Sequence, residues 1–371
     1  MDASIKLGRI WGIPIGVHTS WFIIFGLLVW SLSSGYFPNE YPQFPLLTHI
    51  FLGLITTLLF FVSVLAHELG HALFALRNQI PVKGITLFIF GGVAQIAQEP
   101  RSPGAEFRIA IAGPLVSLAL AGVFGLTYLL DQGIALLAAP SLYLLRINFI
   151  LAVFNMIPGF PLDGGRVLRS IIWRFTGNFQ RASQVASFTG QLVAFGFIGW
   201  GIYSIFIGQF LNGLWLVFIG WFLQNAAASS YQQTNLQQSL RGIRVNQVME
   251  QDCIRVPSLT PISQVVEERV LTGGERCFFV SDNGKLQGML TLRDISQIPK
   301  QKWRFTTIQQ AMVPANNLIT VEPQTELLNA MQTMDNANIA QVPVVENGEL
   351  LGVLTREQIV HYLRTRAELG I

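Results

Sequence analysis

Two histidines four residues apart with a glutamate beside the first, in Val64-Leu65-Ala66-His67-Glu68-Leu69-Gly70-His71-Ala72, are the residues of this chain best suited to chemistry. On a helix, positions i and i+4 share one face. His67 and His71 can therefore aim their imidazoles at one zinc ion, and Glu68 lies close enough to take a proton from an attacking water. A hydrolytic zinc site takes three protein ligands and keeps a fourth position open. The candidate third ligand is Asp163, in Asn155-Met156-Ile157-Pro158-Gly159-Phe160-Pro161-Leu162-Asp163-Gly164-Gly165-Arg166. Asp-Gly after prolines is also ordinary turn chemistry. Taken alone this segment reads as a turn, and only its placement relative to His67 favours the ligand.

That placement depends on the elements around it. The chain has 371 residues, 51% of them hydrophobic and 12% charged, and a mean hydropathy of +0.46. Such a composition excludes an ordinary soluble protein. The long uncharged runs end near residue 228, and the remaining residues have normal charge and alternation. The expected organisation is a membrane core over 1–228, a polar linker over 229–242 that includes Ser229-Ser230-Tyr231-Gln232-Gln233-Thr234-Asn235, and a soluble module over 243–371.

Six stretches are apolar enough to cross a bilayer as helices: 19–36, 49–76, 107–130, 141–158, 184–207 and 209–227. The N-terminal residues carry Lys6 and Arg9 but precede a full span with no small-residue cleavage site, so this segment is expected to be retained. Arg77, Lys83 and Arg101 occupy the second connection and Arg166, Arg169, Arg174 and Arg181 the fourth, while Arg241 and Arg244 come after the last span. The intervening connections lack Lys and Arg. Positive charge on the cytoplasmic side then puts both termini and the soluble module in the cytoplasm. His67 falls ten residues from Arg77, about 15 Å along a helix, and the fourth span also runs inward before reaching Asp163. The two segments thus match in depth. Two histidines and a glutamate in lipid are costly, on the order of 3 kcal/mol for a charged group at mid-membrane, and they need partners or a wet cavity.

Other features carry less. The formal charge is +3 and comes from scattered residues, so no nucleic-acid partner is expected. Cys253 and Cys277 lack metal-site spacing and read as reduced thiols of a cytoplasmic module. Glycines such as Gly190, Gly201, Gly213 and Gly220 read as close helix packing in lipid. His18, His49 and His361 read as interfacial or surface residues, and Arg146, placed near the outer end of the fourth span, as a snorkelling or paired cation. Residues 81–98 alternate β-branched residues. They read either as a hairpin closing the core or as an edge strand able to pair with an unwound peptide.

The paired segments, HExxH and the later NxxPxxPLDGG, together resemble the site-2 protease family of intramembrane zinc metalloproteases. The resemblance implies His67, His71 and Asp163 as ligands of one Zn2+, Glu68 as general acid and base, and Asn155 as a polar group near the scissile carbonyl. It implies cleavage of a membrane-spanning protein within or near the bilayer, as in regulated intramembrane proteolysis, in a bacterial-type cell membrane or an organellar equivalent. Phe90-Gly91-Gly92-Val93-Ala94 and Ala112-Gly113-Pro114-Leu115-Val116-Ser117 also look like the family's, except that Ser117 stands where Asn is usual.

The tail repeats itself. Val245-Asn246-Gln247-Val248-Met249 through Cys277–Asp282 to Gly288–Asp294 is matched by Ile308-Gln309-Gln310-Ala311-Met312 through Val342–Glu346 to Gly352–Gln358. Each unit, about 243–300 and 306–366, reads as strand, helix, hairpin and closing helix. This resembles a tandem CBS-domain pair. The resemblance implies an adenine-nucleotide site at Thr291 and Asp294, with Gln358 in the matching place of the second unit, and homodimerisation through the module; a dimerising module without ligand is the alternative. The expected fold is thus a polytopic α-helical membrane protein with a small membrane-associated β region and a soluble α/β tandem CBS module. Two competing readings are a CBS-regulated ion transporter, disfavoured because the core shows no inverted repeat, and an inactive relative, disfavoured by the full set His67, Glu68, His71 and Asp163.

Overall fold

The computed structural model describes residues 5–89, 91–96, 98–130, 133–240, 242–251, 255–273, 275, 277–282 and 285–369. Phe90, Arg241 and Cys253 lie outside them. The chain divides into two compact units, Met1–Thr234 and Asn235–Ile371.

Among the described residues of the first unit, six helices are long and apolar enough to cross a membrane. Helix α1 (Ser20–Ser31) continues through a π-helical turn, Leu32–Tyr36, to Phe37–Glu40. It is followed by α2 (Leu46–Arg77), α3 (Pro103–Leu130) and α4 (Ala135–Asn155). A shorter helix, α5 (Asp163–Thr176), precedes α6 (Phe179–Phe206) and α7 (Phe210–Ser239). With its 32 residues, α2 is about 48 Å long, more than the ~30 Å hydrocarbon core requires. The fourth span starts earlier than expected because the helix accommodates Pro140 internally. Arg146 consequently stands eleven residues into α4, about 16 Å from its start, and is exposed, whereas it was expected near the outer end. The backbone of the expected linker 229–235 is helical, continuing α7.

The β region is larger than its sequence suggests. Strands β1 (Ile5–Ile10) and β2 (Ile13–Val17) join β3 (Val82–Phe88) and β4 (Gly91–Ile96) in one sheet, ordered β1-β2-β3-β4. β1 pairs antiparallel with β2, β2 parallel with β3, and β3 antiparallel with β4. β4 is therefore an edge. Ile13 of β2 and Ile85 of β3 pack with Leu69 and Ala72 of α2, fixing the sheet on the helix that carries His67.

The second unit is an α/β module. Its sheet runs β5 (Arg255–Val256), β6 (Cys277–Asp282), β7 (Lys285–Thr291), β10 (Glu349–Thr355), β9 (Gln341–Glu346), with β8 (Val313–Pro314) paired to β7. The module has two cores, one around Ile262, Phe278 and Leu290 that takes in Ile308 from the start of the second repeat, the other around Leu327, Val342 and Leu354 that takes in Val245 and Val248 from the start of the first, so each repeat's opening segment packs into the other's core. The second hairpin turns at Asn347 and Gly348, with φ of 54° and 85°, the positive pair that Asn-Gly adopts readily in a two-residue turn.

Candidate metal centre

The 32 residues of α2 keep His67 and His71 on one buried face, each 4% exposed. Asp163 arrives from the start of α5. Its Oδ2 lies 3.2 Å from His67 Nε2 and 3.1 Å from His71 Nε2, and the two nitrogens are 3.2 Å apart. A triangle of that size is one face of a tetrahedron whose centre lies about 2 Å from each corner, the distance at which zinc binds nitrogen and oxygen. Among the described residues these three form the group of His, Cys, Asp and Glu able to hold a metal ion.

Protonation favours a cation there too. His71 Nδ1 is 2.7 Å from the carbonyl of Ile109, which can only accept, so Nδ1 carries the proton and the neutral ring presents Nε2 as a lone pair. His67 Nδ1 is tied to Ser117 Oγ at 2.8 Å, and Ser117 is fully buried. Burial alone would raise the Asp163 carboxyl, but positive charge beside it at His71 and His67 outweighs burial and holds the group well below the usual carboxylate range, and a metal cation can take the place of that charge. Its place in the first turn of α5 adds the favourable end of the helix dipole. The site is thus a convergence of acceptors, which a divalent cation satisfies.

Close backbone packing makes room for this arrangement. A Cβ at Gly113 would fall on His71 Nε2 and lie 2.6 Å from His67 Nε2. Gly70 brings α2 against α3, where an added Cβ would meet the Ala112 carbonyl at 3.1 Å. Gly164 and Gly165 let the start of α5 fold back on the Met156–Phe160 turn, and Gly190 of α6 packs against the Phe160 backbone. Phe160 also donates its N–H to the Ala186 carbonyl at 3.1 Å. Gly190, read from sequence as general helix packing, thus seats the turn that carries Asp163.

Arg169 holds α5 from the other side. It is 5% exposed, pairs with fully buried Glu106 of α3, and lies over the rings of Phe160 and Phe179 at 4.9 and 4.7 Å. Sequence reasoning used Arg169 only as a topological charge. The available signal was Glu106, the one acid of a span whose single other charge is Arg108.

Glu68, half-buried, accepts the Ala94 N–H of edge strand β4 at 3.1 Å, and a Cβ at Gly92 would press on its Cγ at 2.5 Å. Gly92 and Ala94 therefore bear directly on Glu68. Asn155 ends α4, half-buried, and its side chain makes no hydrogen bond among the described residues. His49, expected at an interface, is buried with Nε2 3.0 Å from the Tyr41 carbonyl, while His18 Nδ1 meets Ser20 Oγ at 2.8 Å.

Thr291 and Asp294 cap the helix that comes after β7. Asp294 Oδ2 accepts from Thr291 Oγ1 at 2.6 Å and from its N–H at 2.9 Å. The second repeat copies this with Thr355 and Gln358, and Gln358 Nε2 donates onward to Glu250.

The pattern of peptidase family M50 matches residues 55–141 and 132–197, and that of the CBS domain matches 245–299 and 309–365. A Synechocystis protein named as a zinc metalloprotease is 36% identical over 99% of this chain and 97% of its own. The chain belongs to peptidase family M50, the site-2 protease family. A Mycobacterium tuberculosis M50 relative, Rip3, also carries a zinc metalloprotease name and is 32% identical over 98% of this chain and 93% of its own. The solved site-2 protease from Methanocaldococcus jannaschii is 28% identical, covers 61% of this chain and 94% of its own, with a TM-score of 0.41. The protein is accordingly a multi-pass M50 zinc metalloprotease with a tandem CBS pair, and Zn2+ is its cofactor.

Proposed function

We propose that this M50 protein is an intramembrane endopeptidase that cuts a membrane-spanning protein within or near the bilayer. His67, His71 and Asp163 hold the zinc, and Glu68 acts as general acid and base. The observation that carries this reading is the triangle of His67 Nε2, His71 Nε2 and Asp163 Oδ2 with edges of 3.1–3.2 Å.

Zn2+ bound there supplies a Lewis acid that polarises a carbonyl and makes water acidic enough to deprotonate near neutral pH. Ile109 and Ser117 fix the two rings so that both Nε2 atoms stay available. Glu68 takes the proton from the attacking water and returns it to the departing amine nitrogen. The Ala94 N–H orients its carboxylate for both transfers.

A helical peptide bond is shielded, so a substrate must be extended to be cut, and the outer side of edge strand β4, where the Ala94 N–H already meets Glu68, offers its remaining backbone groups to such a segment. Asn155 is the polar group assigned to the scissile carbonyl.

The charge distribution of the connections supports placing both termini and the CBS pair in the cytoplasm. There the pair modulates cleavage by binding an adenine nucleotide at Thr291 and Asp294, or by bringing two chains together as a homodimer.

The test is cleavage of a model transmembrane substrate by purified wild type and Glu68→Gln, with zinc quantified in both. Zinc in both with cleavage only by wild type supports the assignment. Equal cleavage, or zinc absent from pure wild type, overturns it.

A further inference from the structure

The corner where α5 meets α6 presents a surface that the proposed peptide hydrolysis leaves unused. Gly177 closes α5 in the left-handed conformation, with φ of 66°, and Asn178 caps α6 by accepting the Arg181 N–H at 3.0 Å. This turn fixes a short stretch on which Arg174, Phe175 and Arg181 are all exposed. Phe175 is 83% exposed, and Ile171, one turn earlier on the same side of α5, is 42% exposed.

The two arginines lack counter-charges. From 164 to 249 the sequence has no Asp or Glu. Among the described residues neither the Arg174 nor the Arg181 guanidinium makes an ion pair or a hydrogen bond. Bare guanidinium groups are costly deep in lipid, and a protruding phenylalanine is ill suited to water. Together they suit the boundary where acyl chains meet phosphate.

Depth places the corner at that boundary. Along α3, Ser117 and Ile109 meet the two imidazoles, and Glu106, three residues nearer the start of the helix, meets Arg169. α5 therefore runs from Asp163 at the metal centre toward the start of α3, the end that follows Arg101 and that the charge distribution assigns to the cytoplasm. Phe175 lies six residues beyond Arg169, about 9 Å along the helix, whereas α3 opens at Pro103, about 4.5 Å before Glu106. The corner thus extends past the start of α3, to the level of lipid headgroups.

The corner is also packed to the metal centre. Trp173 meets the ring of Phe179 edge-on at 4.9 Å, and the Arg169 guanidinium lies over the rings of both Phe179 and Phe160. Phe160 belongs to the turn that leads into Asp163. A displacement of the corner is therefore transmitted through these contacts to the carboxylate, and a held corner steadies it.

We infer that the α5–α6 corner docks on anionic phospholipid of the cytoplasmic leaflet and thereby holds Asp163 in place. Phe175 and Ile171 enter the acyl boundary, and Arg174 and Arg181 each meet a lipid phosphate, which a guanidinium can bond with two parallel N–H groups. The partner is lipid and not free phosphate, because the two apolar side chains gain only from a surface that also offers hydrocarbon. Each arginine close to an anionic surface strengthens the attraction about fivefold. The docking rests on exposure, charge and depth; its consequence for zinc rests on the reading of Asp163 as a ligand.

The test uses the zinc-loaded full chain in nanodiscs of phosphatidylcholine, with and without about 30% phosphatidylglycerol, and follows amide hydrogen exchange by mass spectrometry. Phosphatidylglycerol should slow exchange over 171–178 at least about fivefold in wild type and leave α2 unchanged. The double variant Arg174→Gln with Arg181→Gln should lose that difference, and Arg174→Lys with Arg181→Lys should keep most of it. Equal exchange in the two lipids, a difference that survives the glutamine pair, or the same protection from inorganic phosphate in neutral nanodiscs would each overturn the docking.

Zinc loss to a chelator, measured in the same nanodiscs, addresses the coupling. It should be severalfold slower with phosphatidylglycerol in wild type and independent of lipid in the glutamine pair. Slowed exchange with unchanged zinc loss would overturn the hold on Asp163. Failure of the metal reading itself would show as zinc absent from pure wild type, a result the exchange pattern does not depend on.

Discussion

Arg169 donates its Nε–H to Glu106 Oε1 at 2.6 Å, six residues along the helix that Asp163 begins. The pair is buried on both sides, with Arg169 5% exposed and Glu106 0%. It ties α5 to α3, the helix that also supplies Gly113 and Ser117 beneath the two imidazoles.

Breaking such a pair from one side leaves a lone buried charge, at a cost of about 3–5 kcal/mol. Arg169→Ala and Glu106→Ala should each lower the thermal unfolding midpoint and release zinc, because α5 loses its hold on α3. The double variant should cost less than the sum of the two. An additive double variant with full zinc content would show that the pair does not position Asp163.

Gly113→Ala and Gly92→Ala separate binding from chemistry. A methyl at 113 occupies the space in front of both Nε2 atoms, so zinc content should fall below a tenth of wild type, read by elemental analysis. A methyl at 92 pushes on Glu68 and leaves the triangle alone. That variant should retain zinc and lose peptidase activity about a hundredfold.

Ser117→Ala removes the hydroxyl that fixes His67 Nδ1. Loss of such a support typically weakens metal affinity about 10–100-fold. Competition against a chelator of known strength measures it, and an unchanged affinity would make Ser117 a packing residue.

Asp294→Ala removes the carboxylate that caps the helix after β7, which costs about 0.5–2 kcal/mol. The unfolding midpoint of the soluble module should fall even without nucleotide. If the same carboxylate also contacts ribose, added ATP should raise the wild-type midpoint more than that of the variant. Equal shifts would place the nucleotide elsewhere.

The His67–His71 pair was legible because helical periodicity is local: residues four apart must share a face whatever surrounds them. The same held for the membrane helices, whose length and apolarity are set residue by residue, and for the hairpin at Asn347-Gly348, where the side chains themselves favour the turn. Asp163, in a segment that by itself reads as a turn, was a candidate through its matching depth with His67, but meeting two imidazoles about 95 positions earlier required the fold.

Tertiary structure alone decided the rest. β1 is exposed and β2 buried, with no turn signature strong enough to announce them, and they find their place only as β2 pairs with β3 and β1 with β2. Arg169, Glu106, Ile109 and Ser117 are separately ordinary in the sequence. Their roles arise from close approach between helices, which depends on where glycine lets two backbones touch and on which buried polar groups must find each other once water is gone.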